Sequence, residues 1–342
     1  MIRLAIVFAA VLPVFCADWN PKLAADYLDS RQKEWFAWKA AASTGGPCVS
    51  CHTGITYLLA RPALRGLLNE PGATTYETGL KSGLTARVDK RNGSDGTGVE
   101  AVLSALVLGP ESQKTFDRLW ALQIMEGPAK GAWHWYNLDL DPWEMPQSRF
   151  YGATLAALAV GNTTASYRES PDVREHLAAL LSYLRNEMAN QSLHNRLMLL
   201  WASTKLPEAL PSEMRQQIID EVLRKQQTDG GWTMASLGPF GAHPEAPASS
   251  GSNSYATALA AFVLEEAGVS DRRILKATDW LKSHQDAQTG SWPAESLNHK
   301  YEAGSMESQF MRDAATGFAV LALTGPKSQA EPLPMTSRSA EE

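Results

Sequence analysis

The chain has 342 residues, 44% of them hydrophobic and 20% charged, with a formal net charge of −6. This is the composition of a globular protein long enough for one large domain. It excludes a basic nucleic-acid-binding footprint and a polybasic membrane patch. The 11 tryptophans fall mostly at repeated motif positions, which directs attention to aromatic loops rather than to bulk charge.

Met1 to Ala17 reads as a secretory leader: Arg3 supplies the positive start, and Leu4 to Val14 is an apolar run too short for a stable bilayer span. Cys16 is then lost with the leader, its lipidation being the other reading. The mature chain is expected in the periplasm or outside the cell by bacterial-type secretion, with no stable membrane span. The domain division that follows is a leader at 1–17, one domain at 18–325, and a disordered tail at 326–342, rich in Pro, Ser and Glu.

After an outer helix expected over Asp26–Ala42 comes Gly-Gly-Pro followed by Cys48-Val49-Ser50-Cys51-His52. Two thiols and an imidazole in this order form the attachment pattern of a c-type haem. Cys48 and Cys51 would carry the thioether bonds, and His52 would be the axial metal ligand. The same pair also suits a local disulfide or redox pair, or half a zinc site. A cofactor, haem c, and a redox partner are the expectations drawn from it.

Gly54–Leu68 reads as the inner partner of that first helix, and Thr75–Lys90 with Thr97–Leu108 as a second pair. Repetition becomes explicit at Arg118-Leu-Trp-Ala-Leu-Gln123, with Gly131-Ala-Trp133 and the small-residue run Tyr151–Ala159. It recurs at Val222-Leu-Arg-Lys-Gln-Gln227 with Gly230-Gly-Trp232 and Ser254–Leu264. A third copy runs from Asp279 to Gln285, then Gly290-Ser-Trp292 and Ala314–Leu323. Each unit has an amphipathic helix ending in Gln, a Gly-Trp turn, a variable loop and a helix of small residues. The small-residue helices are apolar all round and belong inside; the others carry charge on one face and belong outside. With Asp172–Glu187 and Ser192–Ser203, about six hairpins result. The fold class is all-α, an α/α toroid.

These Gln-x-x-x-Gly-Gly-Trp-like repeats resemble those of the terpenoid cyclase and protein prenyltransferase superfamily, squalene–hopene cyclases included, over most of the chain from about Pro21 to Gly325. The resemblance implies an inner and an outer ring of helices and an apolar, isoprenoid-type small-molecule ligand. Its activities do not transfer. The protonating Asp-x-Asp-Asp of the cyclases meets Asp139-Leu140-Asp141-Pro142 here. The prenyltransferase zinc cysteine and the thioester Cys-Gly-Glu-Gln are missing from the sequence.

In a ring of hairpins, all outer-to-inner loops emerge at one end, and here they are the long ones: Ser43–Thr53, Glu126–Ser148, Thr228–Asn253 and Ala287–Ser308. The Cys48 loop and the Trp133 loop are therefore expected at one mouth. The latter sets Trp133, Trp135, Tyr136 and Trp143 beside Asp139, Asp141 and Glu144, with Tyr151 starting the following helix. The aromatics are expected to wall a substrate cavity, and the acids to supply a general acid, one of Asp139 and Asp141 facing the cavity while the other caps the turn. His134, between two tryptophans, is the first choice for a second haem ligand. Three functions follow: a haem protein with a redox or electron-transfer role beside an apolar cavity; a haem-free isoprenoid cyclase or isomerase; and a non-catalytic lipid- or glycan-binding toroid.

Overall fold

In the computed structural model, residues 18–325 are described, apart from 91, 110, 111, 242, 248 and 249. The expected leader and tail lie outside the described residues. Twelve helices among them form six consecutive hairpins. The outer members are Pro21–Ala37, Thr75–Ala86, Gln113–Ala121, Pro171–Glu187, Ser212–Arg224 and Arg272–Ser283. The inner members are Gly54–Leu67, Asp95–Leu108, Ser148–Gly161, Leu193–Ser203, Ser254–Glu266 and Phe310–Thr324. Each inner helix packs on the next, and Phe310–Thr324 returns to Gly54–Leu67, so the inner ring closes on itself. The toroid expected from the repeats is the fold.

Burial divides the two rings as their sequences dictate. Every residue from Ser254 to Glu265 is buried. The outer helix Arg272–Ser283 buries only Ile274, Ala277, Thr278, Trp280 and Leu281, one face at helical spacing.

The repeated Gln, Gly and Trp have separate jobs at each turn. Trp133, Trp232 and Trp292 are fully buried, and their indole N–H groups donate to the Leu119, Val222 and Leu281 carbonyls in the last turns of the outer helices, at 2.7, 2.8 and 2.7 Å, beside the backbone N–H that each of these carbonyls also accepts. Burying an indole of roughly 150–250 Å² contributes on the order of 4–6 kcal/mol at ~25 cal/mol per Å². The glutamine amide spans two hairpins. Gln123 donates to the carbonyls of Gly131 and of His176 in the next outer helix, both at 3.0 Å. Gln226 does the same to Gly230 and Arg273, at 2.8 and 2.7 Å. Gly131 and Gly230 have φ of +100° and +101°, and a Cβ on Gly131 would sit 2.1 Å from the Ala179 carbonyl oxygen. Glycine is required there both for its backbone angle and for the close approach of the next helix.

The first outer helix begins earlier than the sequence suggested, because Asn20 caps it and Pro21 opens it. It stops at Ala37, where Trp38 turns extended. The chain then makes a two-residue antiparallel ribbon, Ala42 opposite Pro47 and Ser43 opposite Gly46, which delivers Cys48 to the mouth of the ring.

Candidate functional site

The axis of the toroid is filled. His194 stacks between Tyr151 and Tyr255 with ring centroids 5.9 Å apart on each side, and Tyr255, Phe318, Phe262 and Trp201 continue the aromatic packing. His194 Nε2 lies 2.8 Å from the Tyr255 hydroxyl. The expected central cavity is therefore replaced by a packed core, and what space there is lies at the mouth, where outer-to-inner loops converge.

Two clefts open there. The larger, about 450 Å³, is walled by Trp35, Trp38, Tyr136, Trp143, Tyr301 and Phe310, and Cys48, Cys51, His52, Asp141 and Glu144 also line it. The Cys48 loop and the Tyr136–Glu144 loop thus share one mouth. The smaller, about 290 Å³, is polar: Gln147, Ser148, Asn190, Gln191, Ser192 and Asn195 line it with Phe240. Asp141 borders both.

The Cys48–His52 segment is fixed by its own sequence. The Ser50 hydroxyl accepts from the Thr53 and Gly54 N–H groups, both at 3.0 Å, and so satisfies two backbone donors where the inner helix begins. The Trp35 indole donates to the Cys48 carbonyl at 2.8 Å. Both cysteines are free thiols, so the disulfide alternative is not what holds the loop. Burial pushes both thiols above their ordinary range. Among the described residues no group of three or more His, Cys, Asp and Glu side chains is arranged to hold a metal ion, which leaves the half zinc site without further ligands.

His52 stacks on Phe310, centroids 3.8 Å apart, and meets the edge of Trp35 at 5.8 Å. Its Nδ1 lies 2.9 Å from the Thr53 hydroxyl, which donates its own proton to Asp313 at 2.7 Å. Asp313 also accepts from Arg31 at 2.8 and 3.2 Å and from Tyr27 at 2.8 Å. Burial, with the Arg31 charge nearby, lowers the His52 pKa to about 3, so the ring is neutral at ordinary pH.

Asp141 ties three loops together. Its N–H and C=O pair with the Asn298 amide at 2.9 and 3.0 Å, and its carboxylate accepts from the Gly241 N–H at 2.5 Å. Burial raises its carboxyl above the usual range, opposed by the Gly241 hydrogen bond and by His243. Glu144 is raised by burial as well; its backbone pairs with Leu140 across the loop.

Several expected site residues lie elsewhere. His134 is exposed, its Nδ1 3.6 Å from Asp95, and does not line the cleft, so it is not a second ligand there. Asp139 is exposed with φ of +59°, a turn residue outside both clefts. Trp133 is consumed by the repeat packing, and Trp135 by the hydrogen bond from its indole to the Trp143 carbonyl at 2.9 Å. Tyr151 belongs to the filled axis. Of the expected aromatics, Tyr136 and Trp143 reach the cleft. The sequence reading missed Trp35, Trp38, Phe310, Tyr301 and Asn298, which carry no local motif. It also missed Thr53 and Asp313, although an acid in the small-residue inner helix Phe310–Thr324 was a usable signal.

No family model matches this sequence, and no curated protein matches it. Solved structures do. A polysaccharide lyase aligns with a TM-score of 0.53 at 14% identity, covering 89% of this chain and 96% of its own. A possible member of the GH105 family from Salmonella enterica subsp. enterica serovar Paratyphi A aligns with a TM-score of 0.51 at 11% identity, covering 94% of this chain and 98% of its own. At such identities the likeness is one of fold. It corrects the functional expectation: the similar toroids are carbohydrate-active proteins, not isoprenoid cyclases or cytochromes. Neither a redox or electron-transfer role nor an isoprenoid cyclase or isomerase activity is retained. No helix among the described residues is long and apolar enough to cross a membrane.

Proposed function

We propose that the protein is a carbohydrate-active enzyme that cleaves glycosidic bonds at the mouth of the toroid, with Asp141 as proton donor. The observation that carries this reading is the position of Asp141. Its carboxyl is largely buried at the border of a polar cleft, and burial raises its pKa. A carboxyl so placed keeps its proton closer to neutral pH than a solvated one, which suits it to protonate a leaving-group oxygen.

The polar cleft fits a sugar better than the apolar one does. Asn195 is held by Gln147, Gln191 and His194, while the amides of Gln147 and Asn190 line the cleft with donors and acceptors suited to ring hydroxyls, and Phe240 offers a face for the apolar side of a pyranose. Likeness to a polysaccharide lyase over almost the whole chain supports the choice of substrate class.

The test is release of new sugar ends from a panel of neutral and acidic polysaccharides. Asp141→Asn is expected to lower kcat by about 10²–10⁴-fold while leaving the circular dichroism spectrum unchanged. Equal turnover by the variant, or no cleavage of any polysaccharide by the wild-type protein, overturns the reading.

A further inference from the structure

The carbohydrate reading uses the polar cleft and leaves the apolar one, with its two thiols and imidazole, unexplained. Cys48, Cys51 and His52 line that cleft together, and the thiols are not joined to each other. Its volume of about 450 Å³ lies within the roughly 300–1,000 Å³ of sites that enclose a small-molecule or cofactor ligand. Trp38, Trp143 and Phe310 give it broad apolar walls. Bare metal is a poor fit, because no cluster of three or more ligating side chains is present among the described residues. A cofactor that brings its own equatorial ligands needs only one imidazole from the chain.

The direction of the hydrogen bonds at His52 adds what the motif alone does not show. Asp313 accepts from Arg31, Tyr27 and Thr53 and so acts as a carboxylate. The Thr53 hydroxyl has one proton and gives it to Asp313. Its contact with His52 Nδ1 at 2.9 Å therefore has Nδ1–H as donor. The neutral ring then keeps its lone pair on Nε2, the atom that binds a metal.

We infer that the apolar cleft is a site for covalently attached haem, with Cys48 and Cys51 as the thioether residues, His52 Nε2 as iron ligand, and Thr53 and Asp313 as positioning residues that fix the imidazole tautomer. Each thiol adds S–H across one vinyl C=C: a carbon–sulfur bond forms, the hydrogen goes to the other vinyl carbon, and nothing is oxidised or lost. When bound, the haem supplies an iron centre in an apolar wall. The chain's own part is to hold it and orient its ligand.

The test expresses the full chain with a c-haem maturation system, beside a c-type cytochrome as control. The product is expected to stay coloured after denaturation, and the peptide containing Cys48 and Cys51 to gain the mass of one haem. Cys48→Ala with Cys51→Ala is expected to lose denaturation-resistant colour. Protein without covalent haem from cells that mature the control overturns the site, and so does colour that survives denaturation in the double variant. Failure here leaves polysaccharide cleavage intact as a separate result. The positioning role is read in protein expressed without the maturation system. Nitrogen-15 NMR is expected to show His52 protonated on Nδ1, both tautomers populated in Thr53→Val, and the wild-type pattern regained in Thr53→Ser. Circular dichroism confirms that each variant is folded. An Nε2-protonated ring in the wild type overturns the positioning role.

Discussion

Gln285 and Asn20 join the two ends of the ring. The Asn20 N–H donates to the Gln285 side-chain oxygen at 2.6 Å, and the Gln285 amide donates back to the Asn20 carbonyl at 3.0 Å and to Gly290 at 2.9 Å. The last hairpin thereby does to the first helix what Gln123 and Gln226 do to the hairpins after them.

Removing this latch is expected to loosen the closure without changing the core. Gln285→Ala forfeits three hydrogen bonds at a solvent-facing turn, so a loss of about 1–3 kcal/mol is expected. Urea unfolding would measure it. Hydrogen exchange should localise faster opening to Pro21–Ala37 and the 285–292 turn, with the inner helix Leu193–Ser203 unaffected.

The turn glycines are predicted to tolerate no side chain. Gly290 has φ of +78°, and a Cβ there would lie 2.3 Å from the Leu23 carbonyl carbon. Gly290→Ala and Gly131→Ala are each expected to cost more than about 1 kcal/mol, seen as a lower urea midpoint. Gly72→Ala, where nothing stands within 4 Å, is the control and should stay near wild type.

Stability is predicted to fall with acid through His194. Burial lowers its folded-state pKa to about 4, below the ~6.5 of an unfolded histidine. Between these values the unfolded chain binds a proton that the folded chain refuses, so stability is fully present above about pH 6.5 and declines toward pH 4. The contribution is on the order of 3 kcal/mol across that window, at ~1.4 kcal/mol per pH unit. His194→Gln should flatten this part of a stability–pH curve; an unchanged slope would sink the assignment.

Asp141 should respond to its two charged neighbours in opposite senses. Asp139 raises its pKa and His243 lowers it. A proton donor is active while protonated, so the rate of polysaccharide cleavage is expected to fall on the alkaline side of its pKa. Asp139→Asn removes a negative charge and should move that limb to lower pH. His243→Gln should move it to higher pH. Limbs that move together, or not at all, would argue against Asp141 as the acid.

The repeats made the architecture legible in the sequence. A helix of small apolar residues has no solvent-compatible face and must go inside, and a Gly-x-Trp turn after a Gln-ended helix recurs three times. Loop lengths likewise placed Cys48, Tyr136 and Trp143 at one mouth, because hairpins in a ring leave by the same end. The site itself was less legible. Trp133 and Trp143 look equivalent along the chain, yet one is buried against Leu119 while the other faces the cleft. Asp139 and Asp141 are two residues apart, and packing alone sends one to solvent and the other into contact with Gly241. Thr53 and Asp313, separated by 260 positions, meet only because the first and last inner helices close the ring. Local sequence determines which face of a helix is apolar and where a turn falls. The partners of a buried polar group are set by chain closure, and so the tautomer of His52 and the burial of Asp141 were decided by the tertiary structure.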